Sequence, residues 1–184
     1  MASAATCGSR EHGEMGFTMN RMGESVRLPS ARAFRYLMSA YPPLLFAGVR
    51  VEHVADDWTS VRVSHRVRPW NRNINGAAFG GTLYSMTDPF FGLMARGQLG
   101  EGYRVWSARS SIEFVAPGRG IVTATMELDS VQAEEIRQAT SDGAKSITTH
   151  STTIHDADGN VVARAAQDVY VRRLRTGIDV RSAR

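Results

Sequence analysis

An apolar segment that runs from Gly80 to about Gln98 constrains the fold of this chain more than any other feature. Its large apolar side chains recur at helical spacing and occupy most sides of the predicted helix: Leu83, Met86, Phe90, Leu93 and Met94. A helix that is apolar on most sides has to be buried, so other elements must surround it. The sequence therefore predicts a central helix enclosed by the rest of the chain.

The segments on either side of this helix predict the strands that enclose it. Residues 48–67, 103–131 and 145–173 are typical of paired strands, and the first alternates apolar and polar residues in the way of a strand pair with one buried face. Each is interrupted once by turn-forming residues, which predicts three hairpins at Asp56-Asp57, Pro117-Gly118 and Asp158-Gly159.

Two shorter helices complete the prediction. The first is expected from the N-cap Ser30 to Tyr41, where Pro42-Pro43 stops it, and a surface helix is expected before Gly143. Antiparallel strands joined by hairpins, with one helix inserted after the second strand, indicate an α+β domain. Its sheet is expected to curl around the central helix.

Length and composition predict one domain with polar ends. The 184 residues suffice for one sizeable core, which we expect over residues 29–175, between a disordered tail at 1–28 and a tail at 176–184. No apolar run has the length of a membrane span or the form of an export signal, so we expect a cytoplasmic protein that does not bind membranes. The single Cys7 and the absence of metal-ligand spacing predict neither an internal disulfide nor a metal.

The net charge of +4 comes partly from arginines near the C-terminus. These arginines could form a solvated tail, or they could attract an anionic ligand such as a phosphorylated cofactor. No nucleic-acid-binding motif accompanies the basic residues, so nucleic acid is not an expected partner.

Gly80 and Gly81 stand where the central helix begins, and this position suggests a binding role. The first amides of a helix have no partner within it, and they can receive a carbonyl oxygen or an anion. Glycine lets a ligand approach the main chain closely, although close packing against a strand would explain the two glycines equally well.

Asp88 is the only acid of the apolar segment, and Pro89 follows it directly. A proline inside a helix removes a backbone hydrogen bond and kinks it, which would turn Asp88 away from its regular direction. Asp88 could be catalytic, or it could be an exposed helix residue or the partner of an arginine. Eight helical residues span about 12 Å, so Gly80 and Asp88 of one chain cannot both contact one carbonyl group. If both act on one substrate, the spacing predicts a homodimer with composite sites.

The segment Asn73-x-x-Gly76-x-x-Phe79-Gly80-Gly81, followed by Asp88, resembles the signature of hotdog-fold acyl-CoA thioesterases of the PaaI type. The segment "SARSSIEFVAPGRG" resembles their third strand, and the combination of "YPP", "FGG" and "TDP" is similar to an uncharacterised branch of that superfamily. The resemblance covers about residues 45–173. It implies a hotdog fold, in which a curled antiparallel sheet wraps around a central helix, and hydrolysis of an acyl-CoA or acyl-carrier-protein thioester. It also implies a homodimer or a dimer of dimers, and no cofactor other than the CoA of the substrate.

The resemblance also assigns roles to individual residues. Asp88 would attack the thioester or activate water, and the Gly80 amide would polarise the thioester carbonyl. Asn73 would orient the water or the substrate. The remaining substrate-binding positions would be Phe79, Gly81, Asn75 as the alternative to Asn73, and Ser107. One position departs from the family pattern, because Phe79 stands where the relatives have a histidine.

Two other functions are compatible with the same fold. A non-catalytic protein that binds acyl or lipid ligands would agree with the loss of that histidine at Phe79. A dehydratase or enoyl hydratase would pair an acid with a histidine near the central helix, and residues 73–98 contain none. The histidines on the predicted strands are interpreted as strand-face residues: His53, His65, His150 and His155.

Overall fold

The computed structural model describes residues 28–174, which form five helices and six strands. The tails expected at the two ends lie outside the described residues, and so does Cys7. The exception is Leu28, the last residue of the expected N-terminal tail, which packs against the core. The helices are α1 (Ala31–Ala40), α2 (Pro42–Ala47), α3 (Gly80–Ser85), α4 (Phe90–Leu99) and α5 (Ser130–Ala139), and the strands are β1 (Val49–Val54), β2 (Ser60–Arg66), β3 (Tyr103–Phe114), β4 (Ile121–Glu127), β5 (Lys145–Asp156) and β6 (Val161–Arg173).

The six strands form one antiparallel sheet in the order β1-β2-β4-β5-β6-β3. The predicted hairpins at Asp56-Asp57 and Asp158-Gly159 are confirmed. The prediction of a hairpin at Pro117-Gly118 is wrong. Strand β3 pairs with β6 across the sheet, and β4 lies between β2 and β5. The turn residues were recognised correctly as a break between two strands. Turn chemistry does not determine whether the chain returns beside the same strand or crosses to a different one.

The central helix forms where it was predicted, in two pieces that meet at Asp88 and Pro89. Helix α3 ends at Ser85, and Pro89 is the N-cap of α4. The break agrees with the expected effect of a proline, whose nitrogen has no hydrogen to donate. The largest fully buried side chains of the molecule include Met86, Phe90 and Phe91, so the helix fills the inside of the curled sheet.

The N-terminal helices agree with the sequence prediction only in part. The Ser30 side chain accepts a hydrogen bond from the Ala33 amide at 3.4 Å, which confirms the predicted N-cap. The prolines end α1, but they also begin α2, a helix that was not predicted. Proline is well suited to the first turn of a helix, where its missing N–H is not needed. Gly48 then ends α2 in the left-handed conformation.

The two edge strands of the sheet differ in how they are covered. The Ser39 hydroxyl of α1 accepts from the Val51 amide at 3.1 Å, and the Arg35 guanidinium donates to the Glu52 carbonyl at 3.0 Å. Helix α1 therefore satisfies outward-facing backbone groups of β1. At the outer edge of β3, which is twelve residues long, Arg96 of α4 reaches the carbonyl of the first residue, Tyr103, at 3.5 Å, and no other hydrogen bond from a helix of the described residues covers this edge. An uncovered strand edge can pair with another chain.

His65 is a buried polar residue on the inner face of β2, with no measurable exposure. Its Nδ1 lies 3.2 Å from the Gly48 carbonyl oxygen, and its Nε2 has no partner among the described residues. Burial lowers the pKa of His65, and the contact with the Gly48 carbonyl opposes this effect only partly. The imidazole is therefore held in its neutral form.

We expect the free energy of unfolding to fall as the pH drops through 6.5, the ordinary pKa of histidine. Below that pH the unfolded chain binds a proton at His65 before the folded chain does, so stability is lost until the lowered folded pKa is passed. Burial lowers the pKa of His150 as well, so it contributes in the same direction. Denaturant titrations over this range measure the slope. The variant His65→Gln should flatten it, and an unchanged slope would count against this role.

Candidate functional site

Asp88 lies at the break between α3 and α4 and is half-buried. Its amide donates to the Tyr84 carbonyl at 3.1 Å, which keeps this residue attached to the last turn of α3. No arginine, lysine or histidine of the described chain forms an ion pair with Asp88. The two alternatives to a catalytic role, an exposed helix residue and the partner of an arginine, therefore do not describe Asp88 in this structure.

Partial burial controls the charge of Asp88. Loss of solvent raises the pKa of the carboxyl group above its ordinary value, and a hydrogen bond from the Tyr84 side chain opposes this rise. A carboxylate with a raised pKa and no counterion is a better proton acceptor than an ordinary surface aspartate. Such groups are common at functional sites.

Gln167 of β6 holds Asp88 in place from the sheet side. This residue is only 3% exposed, and its Nε2 donates to the Asp88 carbonyl at 2.5 Å. The same nitrogen lies 3.4 Å from Asp88 Oδ1 and 3.3 Å from the Ser110 hydroxyl, while Gln167 Oε1 has no partner among the described residues. The structure thus brings together three polar groups from the central helix, β6 and β3.

Gln167 was not predicted from the sequence, although a signal was present. The inward-facing positions of β6 are otherwise apolar, and Gln167 is the one polar member of that series: Ala163, Ala165, Gln167, Val169 and Val171. A polar residue in the buried phase of a strand requires a partner, and this one finds it on the central helix.

The hydroxyl predicted on β3 differs from the one that lies near Gln167, the residue that holds Asp88. Ser107 is exposed and lies opposite Val169, whereas Ser110 lies opposite Gln167. The pairing of β3 with β6 shifts by one residue between Ser107 and Arg109. Such a bulge changes the face to which the later side chains point, and a single sequence does not reveal it. The role assigned to Ser107 remains a prediction.

Gly80 and Gly81 present unpaired amides at the start of α3. Neither amide donates to an acceptor among the described residues, as expected for the first residues of a helix. A Cβ atom on Gly80 would lie 2.9 Å from the ring of Phe114, and one on Gly81 would lie 2.6 Å from the ring of Phe79. The absence of side chains here thus permits both the free amides and close contact with two aromatic rings.

The two aromatic rings beside these amides are unusually exposed. Phe79 is 57% exposed and Phe114 of β3 is 56% exposed. Phe114 ends the uncovered edge strand, so the glycine amides lie next to the part of the sheet that is open to another chain. Within the described residues no hydrogen bond joins this group to Asp88.

Asn73 organises the loop that precedes α3. Its Oδ1 accepts from the amides of Asn75 at 2.9 Å and Ala77 at 3.1 Å, and its Nδ2 lies 3.4 Å from the Ala78 carbonyl. Asn75 is exposed, and Arg119 reaches its carbonyl oxygen at 3.5 Å. The side chain of Asn73 is therefore occupied by its own loop, and it orients the approach to Gly80. Its predicted contact with water or substrate remains a prediction.

His150 is a second polar residue of the interior that lies near this site. It faces Gln167 across the β5–β6 pair, its ring stacks on Phe91 with centroids 5.3 Å apart, and its Nε2 lies 2.8 Å from the Thr148 hydroxyl. The interpretation as a strand-face histidine agrees with this position, on the buried face of β5.

The described part of the chain contains no cluster of three or more histidine, cysteine or acidic side chains that could hold a metal ion. In residues 28–174 no helix combines the length and the apolar character that crossing a membrane requires.

A family model matches residues 30–171, and the chain belongs to that family, Domain of unknown function (DUF4442). A search of curated proteins finds no significant match.

Solved structures share the fold at low sequence identity. A protein of unknown function from Pseudomonas aeruginosa, described as a probable thioesterase, is 19% identical with a TM-score of 0.70, over 80% of this chain and 97% of that one. A thioesterase from Haemophilus influenzae is 14% identical with a TM-score of 0.60, over 80% and 94%. The PaaI protein of the E. coli phenylacetic acid degradation operon is 18% identical with a TM-score of 0.54, over 76% and 89%. These likenesses confirm the hotdog fold.

Proposed function

We propose that this protein hydrolyses the thioester bond of an acyl-CoA or acyl-carrier-protein substrate, with Asp88 as the reactive carboxylate. The observation that carries the proposal is the state of Asp88, which is half-buried, free of any counterion in the described chain and held by Gln167. The fold shared with thioesterases from other organisms supports the same class of reaction. No cofactor is required beyond the CoA that is part of the substrate.

In the proposed reaction water replaces the thiol on the acyl carbon. Asp88 accepts a proton from water as the oxygen attacks the thioester carbon, and the resulting oxyanion is stabilised by the Gly80 amide. The tetrahedral intermediate then expels the thiolate, which takes up the proton, and a carboxylic acid and a free thiol are released. A direct attack by Asp88 would give an anhydride that water hydrolyses to the same products. Both routes require Asp88 to be ionised.

We further propose that each site combines Gly80 of one subunit with Asp88 of its partner. The uncovered edge of β3 supports a homodimer, because α1 blocks the opposite edge of the sheet. Pairing through β3 would place Phe114 and the neighbouring glycine amides at the interface. Dimers of this kind could associate further into a dimer of dimers through other surfaces.

Release of free thiol from a panel of acyl-CoA substrates tests the proposed activity. We expect steady turnover for at least one acyl group and a 1:1 yield of carboxylic acid and CoA. The non-catalytic alternative has its own observation, since the exposed Phe79 replaces the histidine of the relatives. Mass spectrometry of the purified protein separates the two. A co-purifying acyl-CoA that stays intact during incubation would favour the ligand-binding protein and would contradict hydrolysis.

We expect kcat/KM to rise with pH through the pKa of Asp88, because only the ionised carboxylate is active. Burial raises this pKa above the ordinary value of 3.8, so the acid limb of the profile should lie above that value. The variant Gln167→Leu removes the donor near Asp88 Oδ1, which should move the limb to still higher pH. A merely structural role of Gln167 would lower activity equally at every pH, and a limb that does not move would contradict the assigned positioning role.

A further inference from the structure

A groove of about 810 Å³ lies on the outer face of the sheet, and neither Asp88 nor Gly80 lines it. Its floor is formed by β1, β2 and the start of β4, and its walls are α1 and the loop that follows β2. Six side chains give the groove its chemical character: Arg35, Tyr36, Arg50, Arg66, Arg68 and Trp70.

Two of the four arginines, Arg50 and Arg66, are neighbours on the floor of the groove, and no acidic side chain of the described residues neutralises them. Arg50 pairs with Ser64 in the β1–β2 register, so Arg66, two residues further along β2, is its diagonal neighbour on the same face. No acidic side chain of the described residues forms an ion pair with Arg50 or Arg66. Like charges on the same face of a sheet repel each other, and an anion bound between the two guanidinium groups would offset this repulsion.

The single carboxylate in the lining is already neutralised. Glu52 pairs with Arg62 at 3.2 Å, and Arg62 does not line this groove. The groove therefore carries four guanidinium groups without a free internal counterion.

The walls add a fixed cation and an exposed aromatic ring. Arg35 donates to the Glu52 carbonyl at 3.0 Å and to the Tyr36 hydroxyl at 2.6 Å, so its guanidinium is held over the groove. Trp70 on the opposite wall is 72% exposed, and the Arg68 guanidinium lies 5.2 Å from the centre of its ring. A flat ligand ring can stack on such an indole, and the arginines can bind phosphate oxygens through paired hydrogen bonds.

We propose that this groove binds a phosphorylated nucleotide, with its phosphate on Arg50 and Arg66 and its base against Trp70. The concave shape of the groove favours a small molecule as the binding partner over a flat surface such as a membrane, because the arginines line a cleft of ligand size. Arginine is the residue best suited to phosphate, and an exposed tryptophan accounts for the planar part of the ligand. The proposal is independent of the thioester chemistry at Asp88.

Titration calorimetry with adenosine 3′,5′-bisphosphate tests this assignment on the full-length protein. We expect one binding site per chain that depends on the groove arginines, and weaker binding of both inorganic phosphate and adenosine alone. The double variant Arg50→Gln/Arg66→Gln should weaken binding of the bisphosphate by at least about tenfold, and Trp70→Ala should weaken it by about tenfold. The matched control Arg104→Gln/Lys145→Gln removes two positive charges from another exposed part of the sheet and should leave the affinity unchanged.

Three results would overturn the assignment. The protein could fail to bind the bisphosphate, the groove variant and the control variant could lose affinity for it equally, or Trp70→Ala could leave that affinity unchanged. Co-sedimentation with phosphatidylcholine vesicles that contain phosphatidylglycerol distinguishes a lipid headgroup from a nucleotide. Binding to these vesicles through Arg50 and Arg66, without binding of the bisphosphate, would also contradict the proposal.

Discussion

Asp88→Asn is expected to fold and dimerise like the native protein and to lose most of its acyl-CoA hydrolysis. Asparagine has the same shape as aspartate and keeps an oxygen that can accept from Gln167, so the break between α3 and α4 should persist. It cannot accept a proton from water and does not act as a nucleophile. Loss of a positioned acid–base group typically lowers the rate by a factor of about 10²–10⁴.

Thiol release under saturating substrate measures this effect, and circular dichroism and size-exclusion chromatography verify the fold and the assembly. Asp158→Asn is the matched control, because it makes the same chemical change in the exposed turn between β5 and β6. An Asn-Gly pair suits that turn as well as Asp-Gly does. Full turnover of the Asp88 variant would remove this carboxylate from the reaction.

Gly80→Pro is expected to lower the rate of hydrolysis by a factor of about 10²–10³, the usual effect of losing one donor to the oxyanion. Proline deletes the amide hydrogen at position 80 and nothing else of the helix, since this amide has no partner among the described residues. The first position of a helix accepts proline readily, and Phe79 before it is already extended, with φ −68° and ψ 131°.

Gly80→Ala is the control that distinguishes loss of the amide hydrogen from the steric effect of an added side chain. Both substitutions place a Cβ atom 2.9 Å from the Phe114 ring, whose exposed tip can move aside, but only alanine keeps the N–H. We therefore expect alanine to retain much more activity than proline, at similar thermal stability. Equal activity of the two variants would show that the Gly80 amide does not bind the oxyanion.

The parts of this fold that the sequence predicted are those with a strong local signal. The central helix and the hairpin at Asp158-Gly159 were predictable because apolar periodicity and turn residues are local properties. Helix α2 was missed because two prolines were interpreted only as a stop, although the first turn of a helix also suits proline. The partner of β3 was predicted wrongly because strand pairing depends on contacts far apart in the chain.

The signals for the candidate site were local as well. Asp88 and Gly80 were proposed because a lone acid in an apolar helix and glycines at its start are visible in one short segment, and their roles remain predictions. Gln167 and Ser110 were missed because only the tertiary fold brings Gln167 to Asp88 and the Ser110 hydroxyl to Gln167. A one-residue bulge in β3 determines which serine faces inward, and no local sequence pattern predicts this bulge.

A mixed dimer of two inactive variants tests the central claim, that Gly80 and Asp88 act across subunits. The chains Asp88→Asn and Gly80→Pro, carrying different affinity tags, can be co-expressed and isolated as the doubly tagged dimer. With composite sites this dimer contains one intact site and one doubly damaged site, so it should recover about half of the native turnover. With sites inside single chains every site carries one defect, and a mixed dimer as inactive as its parents would contradict the account.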